Sequence, residues 1–188
     1  MLLLGSSFEK IPLLSLRIGS VIGSVVGHLI NPHTLRIDAL WVKVGGFKQP
    51  LLLLTQDIRE VSLQGVVVDD RDVLIEASEA LRLKPIIDLR YELIDKKVIS
   101  MHLPLGKIAD YALDKDSFFI EKIYVEPTAW RKLQSNRLTI DRSQIIEVSQ
   151  THVRVKGTEV KEKSSRLKNI RQPSLSPAPS ASASFTEE

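Results

Sequence analysis

The chain has 188 residues, 43% of them hydrophobic, with a net charge of +3 and no cysteine. That length allows one or two domains with a real core, and the absence of cysteine excludes disulfides and thiolate metal sites. The charge is uneven: residues 1–80 carry −2, residues 81–157 carry +4 and residues 158–188 carry +1.

The chain starts Met1-Leu2-Leu3-Leu4, without a basic segment and with Gly5 too early for a secretory signal. Leu13 to Ile30 is largely apolar, but it contains Arg17 and His28, and its charge-free part, Ile18 to Val26, is only nine residues long before Gly27 and His28. A membrane helix needs about twenty, so no span is expected here. Leu51–Leu54 and Gly65–Val68 read as short strands, and Asn31-Pro32-His33-Thr34 and Asp69-Asp70-Arg71-Asp72 as turns. Ala77 to Leu83 is a candidate linker helix. Val153-Arg154-Val155 alternates as a strand should. Thr128 to Ser135, behind Pro127, is a candidate short helix. From about Gly157 the apolar pattern stops. Pro173 to Ser184 is rich in proline, serine and alanine, a composition that predicts disorder for residues 158–188.

Self-comparison organises the rest. Gly23 to Val42 aligns without gaps on Gly106 to Val125 at an offset of 83. Gly23/Gly106, Ile37/Ile120 and Val42/Val125 are identical, and Trp41/Tyr124 is a conservative pair. Phe8–Ile11 falls on Tyr91–Ile94 at the same offset, and Ile58–Ser62 falls on Ile145–Ser149 at 87. The chain therefore reads as two copies of one unit, residues 1–80 and 81–157. Copy two carries four extra residues in one loop. Many short strands with tight turns predict small β-barrels, which close their own edges. Trp41 and Tyr124 are assigned to the barrel cores. The alternation from Phe118 slips at Glu121-Lys122, and in the same way at Asp38-Ala39. A β-bulge at each place absorbs the slip.

The search for chemistry finds no phosphate loop, nucleophile elbow, dinucleotide fingerprint or zinc-protease motif. The Asp69, Asp70, Asp72 group lacks the glycine and glutamate of a calcium loop. His28, His33, His102 and His152 are read as surface or turn residues, without metal spacing. No catalytic residue, cofactor, metal or small-molecule substrate is expected, and the chain is read as a non-enzyme. The candidate interaction face lies on copy two. There Phe119 stands where copy one has Arg36, with Lys122, Trp130, Arg131, Lys132 and Arg137 around it. A second candidate is the basic run Lys161, Lys163, Arg166, Lys168 and Arg171, which suits RNA or an anionic membrane surface.

Several segments carry a family resemblance. Leu105-Gly-Lys-Ile-Ala-Asp110, Phe119-Ile-Glu-Lys-Ile-Tyr-Val125 and Ile140-Asp-Arg-Ser-Gln-Ile-Ile-Glu-Val148 resemble a PRC-barrel domain. Val21-Ile-Gly-Ser-Val-Val-Gly27, Ile37-Asp-Ala-Leu-Trp-Val42 and Asp57-Ile-Arg-Glu-Val61 resemble a weaker version of it. The family includes the cytoplasmic subunit of photosynthetic reaction centres, bacterial ribosome-maturation factors and stand-alone proteins, where it binds macromolecules and catalyses nothing. The resemblance implies a tandem, stand-alone, cytoplasmic adaptor that binds a protein partner. An RNA- or ribosome-associated factor and a peripheral membrane scaffold are the alternatives.

Overall fold

The structure, a computed structural model, describes residues 1–62, 64–101, 103–127 and 138–157. The strands are β1 (Leu2–Leu4), β2 (Pro12–Ser15), β3 (Ser20–Asn31), β4 (Arg36–Lys43), β5 (Leu51–Leu54), β6 (Ile58–Ser62), β7 (Gly65–Val68) and β8 (Leu74–Ile75). A short helix, α1 (Lys84–Leu89), the one α-helix among the described residues, leads to β9 (Lys97–Ser100), β10 (Leu103–Asp114), β11 (Ile120–Pro127), β12 (Leu138–Asp141), β13 (Ile145–Val148) and β14 (His152–Val155). The linker helix expected at Ala77–Leu83 is absent, those residues forming turns; the helix starts only at Lys84, with Pro85 in its first turn. There the fixed φ of proline fits and its missing N–H costs nothing. Among the described residues, no helix is long and apolar enough to cross a membrane.

The protein is all-β, with two curled half-barrel sheets in tandem. The first sheet runs β6-β7-β2-β3-β4-β5-β8. The second runs β13-β14-β9-β10-β11-β12, the same order for the six shared strands, with β1 on β10 as its seventh where the first sheet has β8 on β5. Each contains one parallel pair, β2 with β7 and β9 with β14, in matching register: Leu13 lies opposite Val66, and Val98 opposite Val153. The internal duplication is therefore a duplication of topology.

The offsets resolve into three. Strands β3 and β10 correspond at 83, and β6 and β13 at 87, as the sequence predicts. The upstream block corresponds at 85 instead, since Pro12 pairs with Ser24 and Lys97 with Lys107. Phe8 is thus the partner of Leu93, and both are buried. The hairpin turn after β2 is two residues longer than the one after β9, which shifts the count.

The expected bulges are present. Leu29 and Ile30 face Ala39 and Ile37, so Asp38 is skipped; Ala112 and Leu113 face Lys122 and Ile120, so Glu121 is skipped. The skip decides which residues face inward. Ile37, Leu40 and Val42 point into the core, as do Ile120, Ile123 and Val125, all fully buried. Trp41 and Tyr124 then point outward and are half-buried, which corrects their assignment to the barrel cores. Trp41 packs with Leu29, Ala39 and Leu52 under Ile86 and Ile87 of α1. The matching outward positions of copy two, Lys122 and Thr139, are polar, and no helix among the described residues covers them.

The two copies share one contiguous core that runs from Leu3 to Val155. At its centre the turns after β3 and β10 cross. Ile37 N–H donates to Phe118 O at 2.9 Å, and Ile120 N–H donates to Leu35 O at 2.8 Å, with Arg36 opposite Phe119. These two bonds are each other's image at the offset of 83. Leu35 (φ 52°) and Phe118 (φ 60°) both adopt left-handed backbone, which costs about 1 kcal/mol or more per residue outside glycine. Both side chains are buried in the shared core, which offsets that cost. Each copy's turn rests beside the other copy's edge strand over a groove of about 350 Å³. One groove lies between Pro32–Leu35 and Ile145–Val148, the other between Lys115–Phe118 and Ile58–Val61.

Candidate functional site

The segment ahead of each copy lies on the other parts of the fold in different forms. Ahead of copy one, β1 pairs antiparallel with β10, with Leu2 opposite Asp114 and Leu4 opposite Ala112. The following turn, Gly5–Phe8, is pinned by Ser6, whose N–H and Oγ donate to the Asp110 carboxylate at 3.1 and 2.6 Å. Gly5 lies flat on the Tyr111 ring, where a Cβ would come within 2.5 Å. Ahead of copy two, α1 lies against β3 instead, and ends in Arg90 with a left-handed φ of 44°.

Between α1 and β3 opens a cleft of about 570 Å³. The strand contributes Val26 to Ile30 in succession, and the α1 segment contributes Ile87 and Arg90 to Ile94. Tyr111 reaches in from copy two.

His28 and Tyr111 are repeat-equivalent, and they meet across the axis that relates the copies. Tyr111 Oη and His28 Nδ1 are 2.6 Å apart, and Phe8 stands edge-on to the imidazole at 5.5 Å. Burial pushes the Tyr111 hydroxyl well above its usual range, so it keeps its proton. Burial also lowers His28 to about 4, against a smaller opposing pull from Asp110. Both groups are neutral at pH 7. The hydroxyl donates to Nδ1, which leaves the imidazole proton on Nε2. His28 Nε2 and Tyr91 Oη are the two buried side-chain polar atoms without a partner among the described residues, and both residues line the cleft. Tyr91 also carries Lys96 over its ring, with Nζ at 4.6 Å from the centroid. An unpartnered buried polar group of this kind costs about 1–3 kcal/mol.

The imidazole makes folding pH-dependent. The unfolded chain takes up a proton at His28 near pH 6.5, and the folded chain only near 4. Stability is therefore whole above pH 6.5 and falls as pH drops through that window. Urea unfolding should lose about 2 kcal/mol between pH 7 and pH 5, a range above most carboxylate titration. The loss should vanish in His28→Gln. An unchanged slope in that variant would assign the effect to other groups.

The sequence-predicted face is arranged differently from expectation. Phe119 is half-buried at the crossing of the turns, with the Arg142 guanidinium 4.1 Å and that of Arg36 5.8 Å from its ring centroid. Arg142 is itself anchored, donating to Thr34 O at 2.8 Å. Lys122 pairs with Asp141 at 3.0 Å. Trp130, Arg131, Lys132 and Arg137 lie outside the described residues. So do the expected helix at Thr128–Ser135 and the basic run Lys161, Lys163, Arg166, Lys168 and Arg171. The structure thus makes Phe119 part of the seam between the copies.

His28 is a correction: the sequence places it on the surface or in a turn, whereas its ring nitrogens are buried at the copy–copy junction. The signal was present in the alignment. His28 and Tyr111 occupy the same repeat position, and in a two-fold arrangement equivalent residues near the axis touch each other. Among the described residues no three His, Asp or Glu side chains come together as a metal site. No protein-family model and no curated protein matches the chain.

Proposed function

We propose that the chain is a non-catalytic adaptor that binds a protein partner, in keeping with the PRC-barrel resemblance of both copies. The observation that carries this reading is the cleft between α1 and β3. It combines exposed apolar residues at its rim, Val26 and Ile94, with two buried polar atoms that lack partners. Apolar rim residues beside unfilled hydrogen-bonding groups are what a protein interface covers and satisfies.

Crosslinking capture from the native cytoplasm, with quantified recovery, tests it. Val26→Asp and Ile94→Asp should each reduce recovery of the specific partner at least about tenfold. Ile146→Asp, at an exposed apolar position away from the cleft, should leave it unchanged. Equal recovery from all three would remove the cleft from the reading.

RNA association and membrane association rest on basic residues that lie mostly outside the described ones. Several of the described cations of copy two are paired with carboxylates: Lys122 with Asp141, Arg142 with Glu121 and Arg154 with Glu147. Sedimentation with ribosomes at low salt is the discriminating observation for the first. Flotation with anionic vesicles is the one for the second.

A further inference from the structure

The internal symmetry says how the cleft is filled. Strand β1 sits on the edge of β10 at Ala112–Asp114. There the backbone alternates in direction. Lys115 N–H turns toward β1 and donates to Met1 O at 3.0 Å, and Asp114 N–H turns toward β11 and donates to Phe119 O at 2.9 Å. Leu113, between β1 and the core, therefore faces β1 with both its N–H and its C=O. The equivalents of Ala112, Leu113 and Asp114 in copy one are Leu29, Ile30 and Asn31, at an offset of 83. By the same alternation Ile30 faces away from β4, into the cleft.

Among the described residues no strand pairs with that edge at Leu29–Asn31; β2 takes only its Ser20–Ser24 end. The segment equivalent to β1 is α1, a helix, which covers the outer face of β3 through Ile86 and Ile87 and leaves the edge unpaired. No backbone hydrogen bond joins Ile30 to the α1 segment, although Ile30 is buried. A buried strand edge without backbone partners is unfavourable, and it is a template for another strand.

We infer that the cleft is a strand-addition site. An extended, uncharged, apolar segment of the partner protein pairs antiparallel with Leu29–Asn31, as β1 pairs with Ala112–Asp114. The chain itself supplies the template for the occupant: Leu2-Leu3-Leu4, with only the central leucine buried. A guest of this kind places its own N–H and C=O opposite Ile30. Its flanking peptide groups reach the polar cleft wall that holds His28 and Tyr91. Main-chain pairing gives the attraction, and the apolar rim at Val26 and Ile94 gives the preference for uncharged side chains. The inference rests on the protein-binding reading and specifies its mode.

The test uses the full chain, ¹⁵N-labelled, titrated with the peptide acetyl-Leu-Leu-Leu-Gly-Ser-amide. Saturable shifts should centre on Val26–Asn31 and Ile87–Leu93, and exchange of the Ile30 amide should slow. The same peptide N-methylated at its central leucine, which cannot complete the ladder, should bind at least about tenfold more weakly. Three results overturn the inference. The first is no saturable binding at millimolar peptide. The second is perturbation confined to Ala112–Asp114, where the peptide would have replaced β1. The third is equal binding of the methylated peptide, which would make the cleft an apolar pocket without strand pairing. If the peptide fails while Val26→Asp still abolishes partner capture, strand addition falls and the protein-binding reading stands.

Discussion

Phe118→Ala is expected to destabilise the whole described fold by about 3–5 kcal/mol, in one unfolding transition. Phe118 is buried at the tip of a turn that belongs to copy two, and its carbonyl holds the N–H of Ile37 in copy one. The truncation leaves a cavity in a core common to both copies and keeps the unfavourable left-handed backbone at that position. Leu35→Ala, its image, should act in the same direction at about 2–5 kcal/mol. Urea unfolding followed by both tryptophan fluorescence and far-UV circular dichroism measures this. Two separated transitions, or a loss below about 1 kcal/mol, would mean that the copies are stable apart. Natural domains have only about 5–15 kcal/mol in hand, so the Phe118 variant is expected near the threshold of folding.

The second large effect is at Gly106. A Cβ there would stand 2.0 Å from the carbonyl oxygen of Glu126 and 2.8 Å from its carbonyl carbon. These are backbone atoms of β11, so no rotamer change relieves the clash. Gly106→Ala should cost about 4 kcal/mol or more, by forcing the β10–β11 ladder apart. Gly23, the same repeat position, meets Lys43 O at 2.7 Å, so its alanine variant should be destabilised less. Gly45 has nothing within 4 Å of its virtual Cβ, and Gly45→Ala should be near neutral. The order of thermal midpoints should be Gly45→Ala, then Gly23→Ala, then Gly106→Ala lowest. A Gly106→Ala midpoint equal to that of Gly23→Ala would show that β11 can retreat.

Much of this architecture was legible in the residues. The identity of Gly23 with Gly106 marks a place where two strands approach too closely for a side chain. The parity slips at Asp38 and Glu121 mark bulges, because alternation with period two leaves no other way to keep Ile37, Leu40 and Val42 on one face. Trp41 was misplaced for a related reason. Its size and its aromatic partner Tyr124 argue for burial, but the bulge had already reversed its side. It is covered by α1, a helix whose counterpart ahead of copy one is the strand β1, a difference in form that no alignment of the two copies shows. The cleft between α1 and β3 was hidden similarly. Its polar atoms come from His28 and Tyr91, at positions 63 residues apart in the chain. The feature that makes it a cleft is a helix where symmetry calls for a strand. Phe119 was correctly singled out as differing from Arg36, yet the pair is opposed across the seam, so the difference serves cohesion between copies.

The partnership of β1 with β10 has a consequence for synthesis on the ribosome. Leu2–Leu4 emerges roughly a hundred residues before its partner, Ala112–Asp114. The strand ladders between Pro12 and Ile75 close among their own strands, with Ile37 N–H left to wait for Phe118 O, so this sheet is free to form early. Its turn at Leu35 then waits with a buried-type side chain uncovered until Phe118 and Ile120 have been made. During that interval the nascent chain displays Leu2–Leu4 as an unpaired apolar strand beside an unpaired β3 edge, the situation in which a strand binds a wrong neighbour. Slow closure of a long loop, and sensitivity to crowding of unfinished copies, are therefore the kinetic cost of tying Leu2–Leu4 to the middle of copy two.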